Sequence, residues 1–372
     1  MSASDQPYVG GQAVIEGVMM RSPRCLAIAV RRPDGTIVLR EDAWISIWEQ
    51  LKFLRWPLFR GAVVLAESVY NGIQALNFAA DQSMIESEES EINAAPEPGQ
   101  SAEQVVAQKT AGPVEAEATP TSVGSIATIA FSFAVAIGLF VGLPHLLAWG
   151  AGEAAGHSLD VDSFVFHLLD GVFKLSIFVA YIGGISLIPE IRRVFEYHGA
   201  EHKVVNAYED GLDLSLDNAR SRTTFHARCG TSFVLFVLVL SIFMFAAIFP
   251  MVPKVSEITV VNHIAMIFIK VPLMLPLAGI AYEINRYAAR HPGQFWVQGI
   301  VFPGRLMQKL TTREPEDDQL EIALAAMQAA LSREAALEAL APEAVKQQAP
   351  ASSGKILVYR DYGDVAASFS GH

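Results

Sequence analysis

The chain has 372 residues, 52% of them hydrophobic and 18% charged, with a mean hydropathy of +0.32 and a formal net charge of −12. A soluble domain of this length carries more charge, and an acidic chain without a Gly-rich phosphate loop or an aromatic-interleaved basic stripe is no candidate for nucleic-acid binding. The apolar excess is gathered into a few long runs, so the expected fold class is mainly α: a polytopic helical membrane protein with a small cytoplasmic N-terminal β element.

Residues 1–57 read as a cytoplasmic β-rich segment, with no uninterrupted apolar core of the signal-peptide kind. Gly10–Arg21 is one extended candidate. Ala27–Arg32 and Thr36–Arg40 flank Pro33-Asp34-Gly35, a good hairpin turn. Gln12 and Glu16 would share one strand face by period two, either solvated or turned toward a site. Residues 58–80 carry Arg60, Glu67, Asn71 and Asn77 among apolar residues and read as an amphipathic interfacial or re-entrant helix. The acidic, Ala/Pro/Glu/Ser-rich stretch 81–124 has little to bury and reads as a disordered linker.

Four segments then suffice to cross an apolar core of about 30 Å: about 125–149, 164–188, 231–252 and 262–283. The last holds Pro272 and Pro276. Residues 255–270 read as a periplasmic surface helix with the span beginning later, the alternative being a helix broken at Lys270-Val-Pro272 that lines a cavity. In the second span Asp170 and Lys174 are i, i+4, with His167 on the same face. Charged groups in a bilayer are functional candidates, although here Lys174 can snorkel and neutralise Asp170.

Arg and Lys crowd residues 1–60 (Arg21, Arg24, Arg31, Arg32, Arg40, Lys52, Arg55, Arg60) and 190–229 (Arg192, Arg193, Lys203, Arg220, Arg222, Arg228). They are absent from 150–163. Both termini and the 190–229 loop are therefore expected in the cytoplasm of a bacterial plasma-membrane protein with transmembrane domain 125–290. Residues 291–341 form a cytoplasmic C-terminal segment with a capped helix at 315–340, and 342–372 a flexible tail.

The 190–229 loop opens with His198-Gly-Ala-Glu201-His202. On a helix over Glu190–Glu209, His198 and His202 lie one turn apart on one face, a separation that suits two nitrogens on one zinc ion. Glu201, at i+3 from His198, lies on the same side, where a carboxylate could hold or deprotonate a water molecule. Gly199 weakens that helix by up to about 1 kcal/mol. At the loop's far end, His226-Ala-Arg-Cys229 offers a second pair, imidazole plus soft thiolate. Four ligands would close the site and favour a structural ion; three would leave a position open beside Glu201. Glu209 and Glu283 are alternative ligands, Glu283 being expected to pair with Arg286 instead. Cys25 and Cys229 both fall in segments assigned to the cytosol, so no disulfide is expected.

Gly10-Gly-Gln-Ala-Val-Ile-Glu-Gly-Val-Met-Met-Arg21, Glu196-Tyr-His-Gly-Ala-Glu-His-Lys203, Arg228-Cys-Gly-Thr-Ser-Phe233 and Thr311-Thr-Arg-Glu-Pro315 together resemble the bacterial YqhQ-like family. That family is a domain of unknown function regarded as a metal-dependent membrane enzyme. The resemblance covers about 8–80 and 120–330. It implies an integral plasma-membrane protein in which His198, Glu201, His202, His226 and Cys229 share a site. The chain departs from the expected His-Pro-Arg-Cys, with Ala227 replacing the proline, and 81–124 looks like an insertion. The functional expectation is a zinc-dependent hydrolase of peptide or amide bonds, with Glu201 as general base and His198, His202, His226 and Cys229 as metal ligands. The alternatives are a membrane assembly, insertion or scaffold factor with a structural zinc and, more remotely, a transporter using Lys270, Asp170 and Lys174. The lipid bilayer is the expected partner, with a peptide or another membrane protein as a further one.

Overall fold

A computed structural model describes residues 6–47, 51, 56, 59–93, 123–156, 161, 163–291, 294–340 and 355–369. Strands β1 (Gly10–Val14), β2 (Gly17–Arg21), β3 (Cys25–Arg31) and β4 (Ile37–Ala43) form an antiparallel meander. Gly10–Arg21, expected as one extended run, is instead a hairpin folded at Ile15-Glu16, where Glu16 takes a φ of 50°. The hairpin at Asp34-Gly35 forms as expected, with Gly35 at positive φ and the Asp34 carboxylate accepting from the Thr36 amide.

The long helix α1 (Phe59–Asn93) follows. It begins where the amphipathic helix is expected but continues into the predicted linker; the remainder of that linker, 94–122, lies outside the described residues. Next come α2 (Val123–Ile137), a π-helical stretch at 138–142 and α3 (Leu143–Ala154). After them are α4 (Phe164–Ile185), α5 (Pro189–Glu209), the short α6 (Leu216–Arg220) and α7 (Gly230–Ile248). The chain continues with α8 (Thr259–Arg290), α9 (Phe295–Thr311) and α10 (Asp317–Glu338). Strand β5 (Lys355–Tyr359) and α11 (Tyr362–Phe369) end it.

Among the described residues, four helical stretches are long and apolar enough to cross a membrane: Ala130–Ala154, Phe164–Ile185, Gly230–Met251 and Thr259–Ala288. They coincide with the predicted spans, the first displaced toward the C-terminus. Residues 255–270 are not a separate surface helix, because α8 runs unbroken through Lys270, Pro272 and Pro276. Such prolines are tolerated where neighbouring helices pack around them.

The sheet is covered on both faces, which is why its strands read as nearly continuous apolar runs rather than as alternating ones. Val18, Met20, Ala27, Ala29, Ile37 and Leu39 face Tyr197, Ala200, Val204 and Val205 of α5 and the buried side of α10. Met19, Leu26, Ile28, Val30 and Val38 face Ala75, Phe78 and Ala79 of α1. Helix α10 begins with a capping box between Glu316 and Gln319. Its alanines, 323, 325, 326, 329 and 330, are buried and keep it close to the sheet.

Two C-terminal expectations are corrected. The tail is not loose at 355–369: β5 pairs antiparallel with β4, from Ile37 opposite Tyr359 to Glu41 opposite Lys355, and α11 buries Val365 behind it. Helix α9 falls in a segment expected to be helical only after 315. On α1, the buried Glu67 carboxylate accepts from Arg21, the Ser46 hydroxyl and the Ile47 amide, so this polar face is satisfied by the sheet layer rather than by solvent.

Candidate metal centre

Helix α5 starts on Pro189, whose missing N–H costs nothing in a first turn. It carries His198 and His202 one turn apart, with ring centroids separated by 4.4 Å. Cys229 caps the N-terminus of α7. One ligand atom from each of His198, His202 and Cys229 lies within 4.8 Å of the others. The Cys229 Sγ is 3.3 Å from His198 Nε2. Zinc bond lengths at a tetrahedral angle place two such ligand atoms about 3.3–3.8 Å apart, so this pair already stands at coordinating separation.

The imidazoles are fixed by their other nitrogens. His198 Nδ1 is 2.7 Å from the Thr311 carbonyl oxygen, and His202 Nδ1 is 2.5 Å from that of Thr224. A carbonyl only accepts, so each Nδ1 carries the proton and each Nε2 is presented toward the cluster. This orientation by outer groups is the usual setting of metal-ligating histidines. The thiol of Cys229 is also 3.1 Å from the Thr231 hydroxyl. Burial alone would raise the Cys229 pKa, but the His198 and His202 rings outweigh it and hold the thiol well below its ordinary value. His198 is correspondingly raised against its burial, by the Cys229 thiolate and the hydrogen bond to it. Two imidazoles and a thiolate form a donor set that fits zinc.

Glu201 is buried, with its Oε2 3.5 Å from His202 Nε2. Strand β1 lies directly on it: a Cβ at Gly11 would stand 2.5 Å from Glu201 Cγ. Helix α5 is also crossed at Gly199, where a Cβ would come within 1.9 Å of the Arg313 carbonyl oxygen. At that crossing the Arg313 amide donates to the Phe195 carbonyl at 2.9 Å. Gly199, counted against the helix in sequence, is what lets the 311–315 segment reach His198.

The remaining predicted site residues are placed elsewhere. His226 is not among the three converging atoms; its Nε2 is 3.3 Å from Glu209 Oε1, and Gln308 clamps its backbone at both N–H and C=O. Glu209 also pairs with Arg228, so it serves this ionic group. Glu283 pairs with Arg60 of α1. Glu16 binds Arg193 and the Tyr197 hydroxyl from its turn, and Gln12 lies against Gly72 of α1, so the two do not share a site-facing surface. Both cysteines are free.

Three neighbours were not singled out in sequence. Thr224 and Thr311 act through backbone carbonyls, which no side-chain pattern signals, although Thr311 opens one of the quoted motifs. Tyr8 is stacked under the Arg228 guanidinium, 4.7 Å from its centre.

Residues 56–333 match the family described as "Protein of unknown function (DUF1385)". The chain is 30% identical over 337 residues to the uncharacterized protein YqhQ of Bacillus subtilis (strain 168), covering 89% of this chain and 95% of that protein. The chain belongs to this family. No solved structure matches it. The family span holds all the residues of the candidate metal centre except those that β1 and Tyr8 bring to it.

Proposed function

We propose that this family member is a plasma-membrane protein with a zinc centre at the cytoplasmic ends of its spans, acting as a hydrolase of peptide or amide bonds. The Arg and Lys bias supports the orientation, because the 190–229 loop and the N-terminal layer hold most of the positive residues beside the spans. The observation that carries the reading is the convergence of three ligand atoms, and only three among the described residues, beside the Glu201 carboxylate. Three protein ligands leave a fourth position open, the arrangement of catalytic rather than structural sites.

His198, His202 and Cys229 would hold the ion, which supplies Lewis acidity toward a scissile carbonyl. Glu201 takes the proton from an attacking water and returns it to the leaving amine. The carbonyls of Thr311 and Thr224 keep the two imidazoles in one tautomer. Strand β1 excludes bulk water from Glu201, and it must draw back at Gly11 for a substrate to enter.

The closeness of β1 also favours a second reading, in which the ion is a clasp joining α5, α7 and the 311–315 segment and nothing enters. Zinc stoichiometry of the purified full-length chain, together with Glu201→Gln, separates the two. Hydrolase action predicts that Glu201→Gln keeps its metal and its melting temperature and fails to complement a deletion strain. Full complementation by Glu201→Gln would end the hydrolase reading, and wild-type protein without bound metal would end both.

A further inference from the structure

A second polar cluster lies among the apolar helices, toward the ends opposite the metal centre. His145 of α3, Asp170 and Lys174 of α4, and Lys270 and His263 of α8 are all buried. Counted along their helices, His263 stands about 6 Å from Thr259, Asp170 about 9 Å from Phe164, and Lys270 about 16 Å from Thr259. Phe245 of α7 and Phe249, just beyond its end, place aromatic rings within 6.0 Å of the Lys270 ammonium.

The groups form one unbroken hydrogen-bonded series. His263 Nδ1 is 2.8 Å from His145 Nε2, and His145 Nδ1 is 3.3 Å from Lys270 Nζ. Lys270 Nζ is 2.7 Å from Asp170 Oδ2, which Lys174 Nζ approaches to 3.5 Å from the other side. An ammonium can only donate, and this fixes every tautomer in the series. His145 Nδ1 accepts from Lys270, so its proton is on Nε2. That proton is donated to His263 Nδ1, so the proton of His263 is on its Nε2. With both rings neutral, two ammonium groups face one carboxylate, whose Oδ1 has no partner among the described residues. His167 is a further titratable group here; its Nε2 donates to the Val161 carbonyl at 2.7 Å. One excess positive charge in an apolar setting is costly, and shedding one proton removes it.

We propose that this series is an exchangeable proton site, reached from the ends of the helices opposite the metal centre. The N–H bond of Lys270 breaks as its proton bonds to His145 Nδ1. The Nε2 proton of His145 moves to His263 Nδ1, and that of His263 Nε2 leaves to water at the helix ends. Lys270 is then a neutral amine, and Asp170 remains a carboxylate paired with Lys174. Uptake reverses each step. The site shares no residue with the metal centre and stands or falls apart from it.

The test is solid-state NMR of the full-length chain in lipid bilayers, with isotope-labelled lysine, across a pH series. One lysine signal should pass from ammonium to amine below the pH at which ordinary lysines titrate, and it should be missing from Lys270→Met. Asp170→Asn is nearly isosteric and should shift that transition to lower pH. His145→Gln should leave the transition in place but slow proton exchange at Lys270 at least about tenfold, since one transferring group is lost. Gel filtration and melting temperature verify the fold of each variant. The proposal is overturned if no lysine titrates early, if the early signal survives Lys270→Met, if Asp170→Asn leaves it unmoved, or if His145→Gln exchanges at the wild-type rate.

Discussion

Replacing Gly199 by Ala sets a general rule against a local one. In a helix interior Ala is favoured over Gly by about 1 kcal/mol, so propensity alone predicts a more stable protein. The new Cβ, however, would stand 1.9 Å from the Arg313 carbonyl oxygen, where ordinary contact begins at 3.4 Å. The 311–315 segment must therefore retreat by about 1.5 Å, and its backbone offers no flexible side chain to absorb the shift. Overpacking of this kind costs about 1–3 kcal/mol. The retreat also breaks the Arg313–Phe195 hydrogen bond and the His198 Nδ1–Thr311 bond, each contributing about 1 kcal/mol. After subtracting the propensity gain, a net loss of about 2–4 kcal/mol remains. Because His198 loses the carbonyl that orients it, zinc affinity should fall by about 10–100-fold. Thermal unfolding in detergent and a competitive chelator titration measure the two effects. Gly299→Ala, at a helical glycine with open space around it, is the control and should be neutral or stabilising. Wild-type stability and zinc affinity in Gly199→Ala would refute the close approach as the reason for this glycine.

Other outcomes follow from the same geometry. Cys229→Ser should lose bound zinc, while His226→Ala should keep it, because only Cys229 is among the converging ligand atoms; elemental analysis after gel filtration distinguishes them. Zinc binding should also depend on pH. His198 is raised to about 9 by the Cys229 thiolate beside it, against the effect of burial. Below that pH a metal must displace its proton, so apparent affinity should climb as pH rises toward about 9 and then level off, in a competition titration. Truncation after residue 354 removes β5 and α11, uncovering the edge of β4 and the contacts of Val365. This should cost at least about 3 kcal/mol and expose β4 to limited proteolysis.

Much of this organisation was legible in the sequence because it rests on long runs. Apolar stretches of spanning length, and a His-x-x-Glu-His order on a helix, have signatures that survive without neighbours. The misreadings arose where a second element sets the outcome. Gly10–Arg21 reads as one strand because both halves are apolar, and both are apolar because the sheet is covered on two faces. The fold at Ile15-Glu16 is held partly from outside, by Arg193 and Tyr197 on the Glu16 carboxylate. Lys355–Tyr359 is too short to signal a strand alone and becomes one by completing the edge of β4.

The candidate metal centre shows the same division. His198 and His202 are set by helical spacing, and Cys229 by its place at the start of α7. Choosing between His226 and Cys229 as the further ligand depends on a packing event: Gln308 of α9 pins the His226 backbone at N–H and C=O. That leaves its ring against Glu209, while the thiol two peptide units beyond Ala227 reaches His198. The charges of the spans divide likewise. Asp170 and Lys174 announce themselves as an i, i+4 pair, yet the shorter contact of Asp170 is to Lys270, across to another helix. A pair that reads as self-neutralising is thus one charge in excess once α8 is in place. That excess exists only in the folded bundle, and no reading of one helix at a time could have found it.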